Sequence, residues 1–75
     1  MENSTLHIFS SDTIAQYKII EHILKEYGYT DEREFKRKFT LEKLNNNKIK
    51  LVDSNGNKKI YTYNEDKTIT KEEVL

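Results

Sequence analysis

The chain has no cysteine, no proline and only two glycines, Gly28 and Gly56, among its 75 residues. Without cysteine it can form no disulfide framework, no thiolate nucleophile and no cysteine-ligated zinc site. With no proline and so little glycine it is not a linker, a collagen-like repeat or a glycine-rich phosphate cradle. Long apolar runs are also missing: nothing approaches the roughly 20 residues that cross a bilayer. The opening Met-Glu-Asn-Ser-Thr lacks the basic-then-apolar pattern of a secretion signal. The expectation is a protein of a reducing cytoplasm with no membrane segment. Hydrophobic and charged residues each make up 35% of the chain, which suits one small domain over 1–75, with fraying expected at 1–4 and 71–75. A domain of this size buries only about 60% of its unfolded surface, so association with a partner, or with a second copy as a homodimer, is expected.

The formal net charge of zero conceals blocks, and partners respond to local fields rather than totals. Residues 1–34 hold seven acids and three bases. Residues 35–63 reverse this, with Lys36, Arg37, Lys38, Lys43, Lys48, Lys50, Lys58 and Lys59 against Glu42 and Asp53. The last residues are again acidic, through Glu65, Asp66, Glu72 and Glu73 against Lys67 and Lys71.

The pattern of apolar residues predicts an α+β fold with an N-terminal strand, an amphipathic helix, one or two short helices, and a β-hairpin with a brief third strand. Residues 5–9 alternate as a short strand. Ser10, Ser11 and Asp12 offer capping side chains for a helix that runs to about residue 27 and stops at Gly28. On that helix Tyr17, Ile19, Ile20, Ile23, Leu24 and Tyr27 fall on one arc, opposite Lys18, Glu21, His22, Lys25 and Glu26. A second helix is expected from Thr30 or Asp31, where Asp31 and Glu34 have capping-box spacing. Phe35 and Phe39 share a face while Leu41 and Leu44 do not follow it, which suggests a new helix capped by Thr40. Residues 48–63 then alternate, with Asn55-Gly56 as a two-residue type I′ loop. That loop sets Leu51 opposite Ile60, Ile49 opposite Thr62, Lys50 opposite Tyr61 and Lys48 opposite Tyr63. Lys48, Lys50, Lys59, Tyr61 and Tyr63 would thus share one side of the hairpin. Residues 68–70 are a brief further strand before an acidic tail.

No catalytic constellation is expected. His7 and His22 have no nucleophile at a recognisable spacing, and Ser10 and Ser11 are explained by capping. Glu72 and Glu73 lie in the expected tail, whereas acid–base chemistry needs carboxylates held rigidly. The run Asp53-Ser-Asn55-Gly-Asn57 has the start of a calcium-loop pattern, but Lys58 and Asn64 stand where that motif needs glycine and glutamate. No metal or other cofactor is therefore expected.

The Lys/Tyr side of the hairpin remains. Alternating lysine and tyrosine is ordinary cross-strand packing; it is also suited to a protein partner, or to stacked bases and phosphates. Residues 41–63, LEKLNNNKIKLVDSNGNKKIYTY, resemble the end of a winged-helix domain, where a recognition helix leads into a two-stranded wing. That resemblance implies Lys43 and Lys48 as groove or phosphate contacts. A nucleic-acid-binding regulator on this basis would use Lys43, Lys48, Lys50, Lys58, Lys59, Tyr61 and Tyr63. Over its whole length the chain resembles, in size and in a composition biased to residues with AT-rich codons, the small host-takeover proteins of phages of low-GC Gram-positive bacteria. This implies a non-catalytic inhibitor that occludes a host protein handling nucleic acid, such as the sliding clamp, RNA polymerase or a nucleoid protein. Glu21, Glu26, Asp31, Glu32 and Glu34 would then form a partial DNA mimic, with Lys48, Lys50, Lys59, Tyr61 and Tyr63 as further contacts.

Overall fold

The strongest periodic signal in the chain becomes helix α1, Ile14–Tyr27. A computed structural model describes residues 11–74; the strand expected at 5–9 lies outside them. The cap is Thr13 rather than Ser11 or Asp12: its hydroxyl accepts from the Gln16 N–H at 3.1 Å. The Gln16 side chain in turn accepts from the Asp12 N–H at 2.7 Å, a reciprocal arrangement close to a capping box. At the other end Gly28 takes φ 79°, with Gly28 N–H donating to Lys25 and Tyr29 N–H to Leu24. This is the Schellman closure that a left-handed glycine permits.

Asp31 caps the four-residue helix α2, Glu32–Phe35. The chain then departs from the expectation of another helix. Thr40–Asn45 is a strand, β1, followed by β2 (Lys48–Val52), β3 (Lys58–Tyr63) and β4 (Ile69–Val74). The four strands form one antiparallel sheet in the order β1-β2-β3-β4. Leu41 pairs with Leu51 and Thr40 with Val52, so pairing with β2 overrides the helix-compatible Leu41/Leu44 spacing. The recognition helix of the winged-helix pattern is absent for the same reason. The register slips between Lys43 and Asn45, which leaves Leu44 in the irregularity and exposed.

The central hairpin is offset by one residue from the expected register. Ile49 faces Tyr61, Lys50 faces Ile60 and Leu51 faces Lys59. The cause lies in Asp53. Its carboxylate accepts from the N–H groups of Asn55 and Asn57, both at 2.9 Å, and these hydrogen bonds, the Asn57 N–H foremost, hold its pKa below the usual carboxylate range. Ser54 is thereby drawn into a three-residue loop, in which Gly56 N–H donates to Asp53 and Gly56 takes φ 85°. A type I turn closed by a left-handed residue is the preferred three-residue hairpin loop. Because strand side chains alternate, a shift of one residue exchanges the two faces. Tyr61 therefore points to the core and Ile60 away from it.

The β3–β4 loop repeats this design. Asn64 N–H donates to Thr68 and Lys67 N–H to Asn64, and Lys67 occupies the left-handed position with φ 71°. A lysine there bears a steric cost of about 1–2 kcal/mol that glycine lacks, set against the extra unfolded-state entropy of glycine, about 0.5–1 kcal/mol. Lys67→Gly is accordingly expected to be neutral to stabilising by up to about 1 kcal/mol. A thermal melt with a lower Tm would contradict the loop conformation. Beyond this loop, residues 71–74, expected as a frayed tail, pair with β3 through Val74↔Lys58 and Glu72↔Ile60.

Helix α1 packs across β2 and β3. The core holds Ile19, Ile20, Ile23 and Leu24 from α1, Phe35 from α2, Ile49 and Leu51 from β2, and Tyr61 from β3. The other face of the sheet, with Lys50, Ile60 and Thr62, is not covered by the helix.

Candidate functional site

The offset register divides the expected Lys/Tyr side. Tyr61 is fully buried; Tyr63 packs at the edge of the core. Lys59 is on the helix side, where its Nζ donates to the Tyr27 hydroxyl at 3.1 Å, a bond that pushes its pKa up against a smaller opposing effect of burial. Lys48, Lys50 and Lys58 face the opposite way, in register with Thr62, Ile60 and Val52. Lys50 is paired to Glu42 at 3.2 Å and Lys43 to Asp12 at 3.1 Å. The proposed contacts thus fall on two surfaces, with several lysines already engaged.

The acidic residues are also dispersed. Asp31 caps α2 through the Arg33 N–H at 2.8 Å, the main reason its pKa lies below the usual carboxylate range. Glu32 is 6% exposed and sits 2.7 Å from the Lys36 ammonium, while Glu34 pairs with Arg37 at 3.8 Å. Glu26 ties the helix to the sheet, accepting from the Tyr61 hydroxyl at 3.1 Å and from Lys71 Nζ at 2.7 Å. Glu21 of this group lines a groove between α1 and the β3–β4 hairpin.

Glu26 gives the molecule a pH-dependent clasp. Burial tends to raise its pKa, but the hydrogen bonds from Lys71 and Tyr61, with the charges of Lys71 and His22, outweigh burial and hold it down. His22 Nε2 lies 3.6 Å from the same carboxylate. A carboxyl whose pKa is depressed by folding contributes stability above its free value of 4.5; this is lost as pH falls through the lower folded value. Glu26→Gln is expected to lower stability by about 1 kcal/mol at neutral pH. The difference in Tm between wild type and variant should shrink between pH 6 and pH 3; a constant difference would exclude the clasp. Burial foremost, then Tyr27 and Glu26, push the Tyr61 hydroxyl up, so it remains a donor.

The groove itself was not legible in the sequence. Because α1 covers β2 and β3, the helix side of the sheet is open towards β4, and a cleft of about 550 Å³ runs along it. Helix α1 contributes Ile14, Lys18, Glu21, His22 and Lys25; the β3–β4 hairpin contributes Tyr63, Lys67 from its loop, and Ile69. Its apolar lining includes Ile14, 58% exposed. Its three lysines face one carboxylate, and the Lys71–Glu26 pair ties the helix to β4 nearby. Lys18 and Lys25 come from the block read as acidic, which is why counting charge along the chain missed them. The arrangement is suited to holding an amphipathic ligand with negative charge.

Among the described residues, no three His, Asp or Glu side chains converge on a point that could hold a metal ion, and no helix is long and apolar enough to cross a membrane. Compared with protein-family models, curated proteins and solved structures, the chain matches none.

Proposed function

We propose that this chain is a non-catalytic binding protein that occludes a surface of a partner protein, with the groove between α1 and the β3–β4 hairpin as its contact. The observation that carries this reading is the combination in one cleft of apolar side chains, the exposed Ile14 and the half-buried Tyr63 and Ile69, with Lys18, Lys25 and Lys67 around them. Apolar anchors within a charged rim are how protein interfaces gain both affinity and orientation. The groove is preformed, since α1 is fastened by its caps and by Glu26, so little ordering opposes binding. The resemblance to phage host-takeover proteins supports a partner among host factors that handle nucleic acid. A DNA-mimic mechanism forms no part of the proposal, because Glu26, Asp31, Glu32 and Glu34 are engaged within the chain.

The test mixes the purified protein with the sliding clamp, RNA polymerase and a nucleoid protein of a low-GC Gram-positive bacterium, with random duplex and single-stranded DNA alongside. Stoichiometric binding to one protein, lost in the double variant Lys18→Glu/Lys25→Glu, is the expected result. Binding to DNA alone, with affinity falling against salt at a log–log slope of about −0.9 per phosphate neutralised, would replace this reading with nucleic-acid recognition.

A further inference from the structure

Resting on that reading of the groove, we propose that its occupant is an extended acidic segment of the partner protein, added as a fifth strand along the outer edge of β4. Among the described residues, the strand order leaves β4 with β3 as its single neighbour in the sheet. In an antiparallel ladder the N–H and C=O groups of alternate residues point away from that neighbour, so β4 presents backbone donors and acceptors beside the groove that no described strand uses. Ile69 belongs both to β4 and to the groove lining. A strand laid against β4 would send every second side chain to the helix side of the sheet. Those side chains would meet Lys18, Lys25 and Lys67 together with Ile14 and Tyr63. Carboxylates and apolar groups, alternating along the inward side, satisfy both.

The edge also disfavours the two registers that would pair most of β4 with its own copy. A two-fold antiparallel pairing of β4 centred on Lys71 sets lysine opposite lysine, and one centred on Glu72 sets glutamate opposite glutamate; like charges directly opposite are destabilising. The opposite edge of the sheet is less suitable. β1 carries the register irregularity between Lys43 and Asn45, and the carbonyls of Asn45 and Asn46 already accept from Gln16 and Thr13.

The experiment is an NMR titration of the isotope-labelled protein with the peptide Glu-Thr-Leu-Thr-Glu-Thr-Leu-Thr-Glu, capped at both ends. Comparison probes are the same peptide with lysine for glutamate, two analogues N-methylated at alternate amides (one for each edge of the strand), and a nine-nucleotide oligo-dT. The expected result is a shift of β4 and groove amides, with at least tenfold weaker binding by one N-methylated analogue and by the protein variant Lys18→Glu/Lys25→Glu. The variant's own spectrum reports that it is folded. Equal binding by both N-methylated analogues would overturn strand addition while leaving the groove as a contact. Shifts confined to β1 or to the helix-free sheet face would overturn both. Tighter binding of the lysine peptide or of oligo-dT would overturn the acidic-peptide assignment, and no shift at millimolar peptide would overturn the inference, with protein capture still testing the groove separately.

Discussion

Tyr61→Ala is expected to unfold the domain at ordinary temperature, whereas Tyr61→Phe is expected to leave it folded and about 1 kcal/mol less stable. The ring is fully buried between α1 and the sheet, in a T-shaped contact with His22 at a centroid distance of 6.0 Å. Truncating a buried aromatic ring typically costs about 3–5 kcal/mol, because the transfer energy is lost and a cavity remains. Domain stabilities are about 5–15 kcal/mol in general, and a chain this short lies at the low end. The phenylalanine variant keeps the packing and loses the hydroxyl with its bond to Glu26. Circular dichroism melts of both variants check this. They also test the register: if Tyr61→Ala melts like wild type, the ring is in solvent and the hairpin pairs as a two-residue Asn-Gly loop would dictate.

Phe35→Ala is expected to have an effect of similar size through a different route. A four-residue helix has no stability of its own, since nucleation is unfavourable and propagation too brief to offset it. Helix α2 is held by Phe35, which is completely buried, stacks on Phe39 at 4.2 Å and 7°, and meets Tyr27 and Tyr29 edge-on at 5.9 and 5.2 Å. Such aromatic pairs add about 0.5–1.5 kcal/mol to their area burial. Loss of the ring should therefore lower stability by about 3–5 kcal/mol, and near-ultraviolet circular dichroism of the tyrosines should collapse with it. A variant that keeps that signal and its Tm would show that α2 is held by its cap and ion pairs instead.

Helix α1 was legible because three signals coincide: an apolar arc at helical spacing, cap chemistry at its start and a glycine at its end. All are local, and α-helical hydrogen bonds are local as well. Strand β1 was not legible. Its exposure pattern has only Leu41 half-buried among six residues, so no alternation marks it, and the Leu41/Leu44 spacing fits a helix equally well. β4 was understated for a similar reason, since an exposed edge strand of Thr, Lys and Glu reads like a solvated tail. The expected contact surface failed on a single residue of register. Asn55-Gly56 is a good two-residue loop, but the Asp53 side chain supplies hydrogen bonds that favour a longer one.

The amino-acid sequence by itself determined the mixed helix-and-sheet class, the position and inward face of α1, and the place where the central hairpin turns. Each follows from interactions among residues close in the chain. Only tertiary structure decided that β1 is a strand, that Tyr61 is core, and that Lys18, Lys25 and Lys67 gather around one groove. Those outcomes depend on which distant segments meet, and on a one-residue alignment that exchanges the faces of a strand.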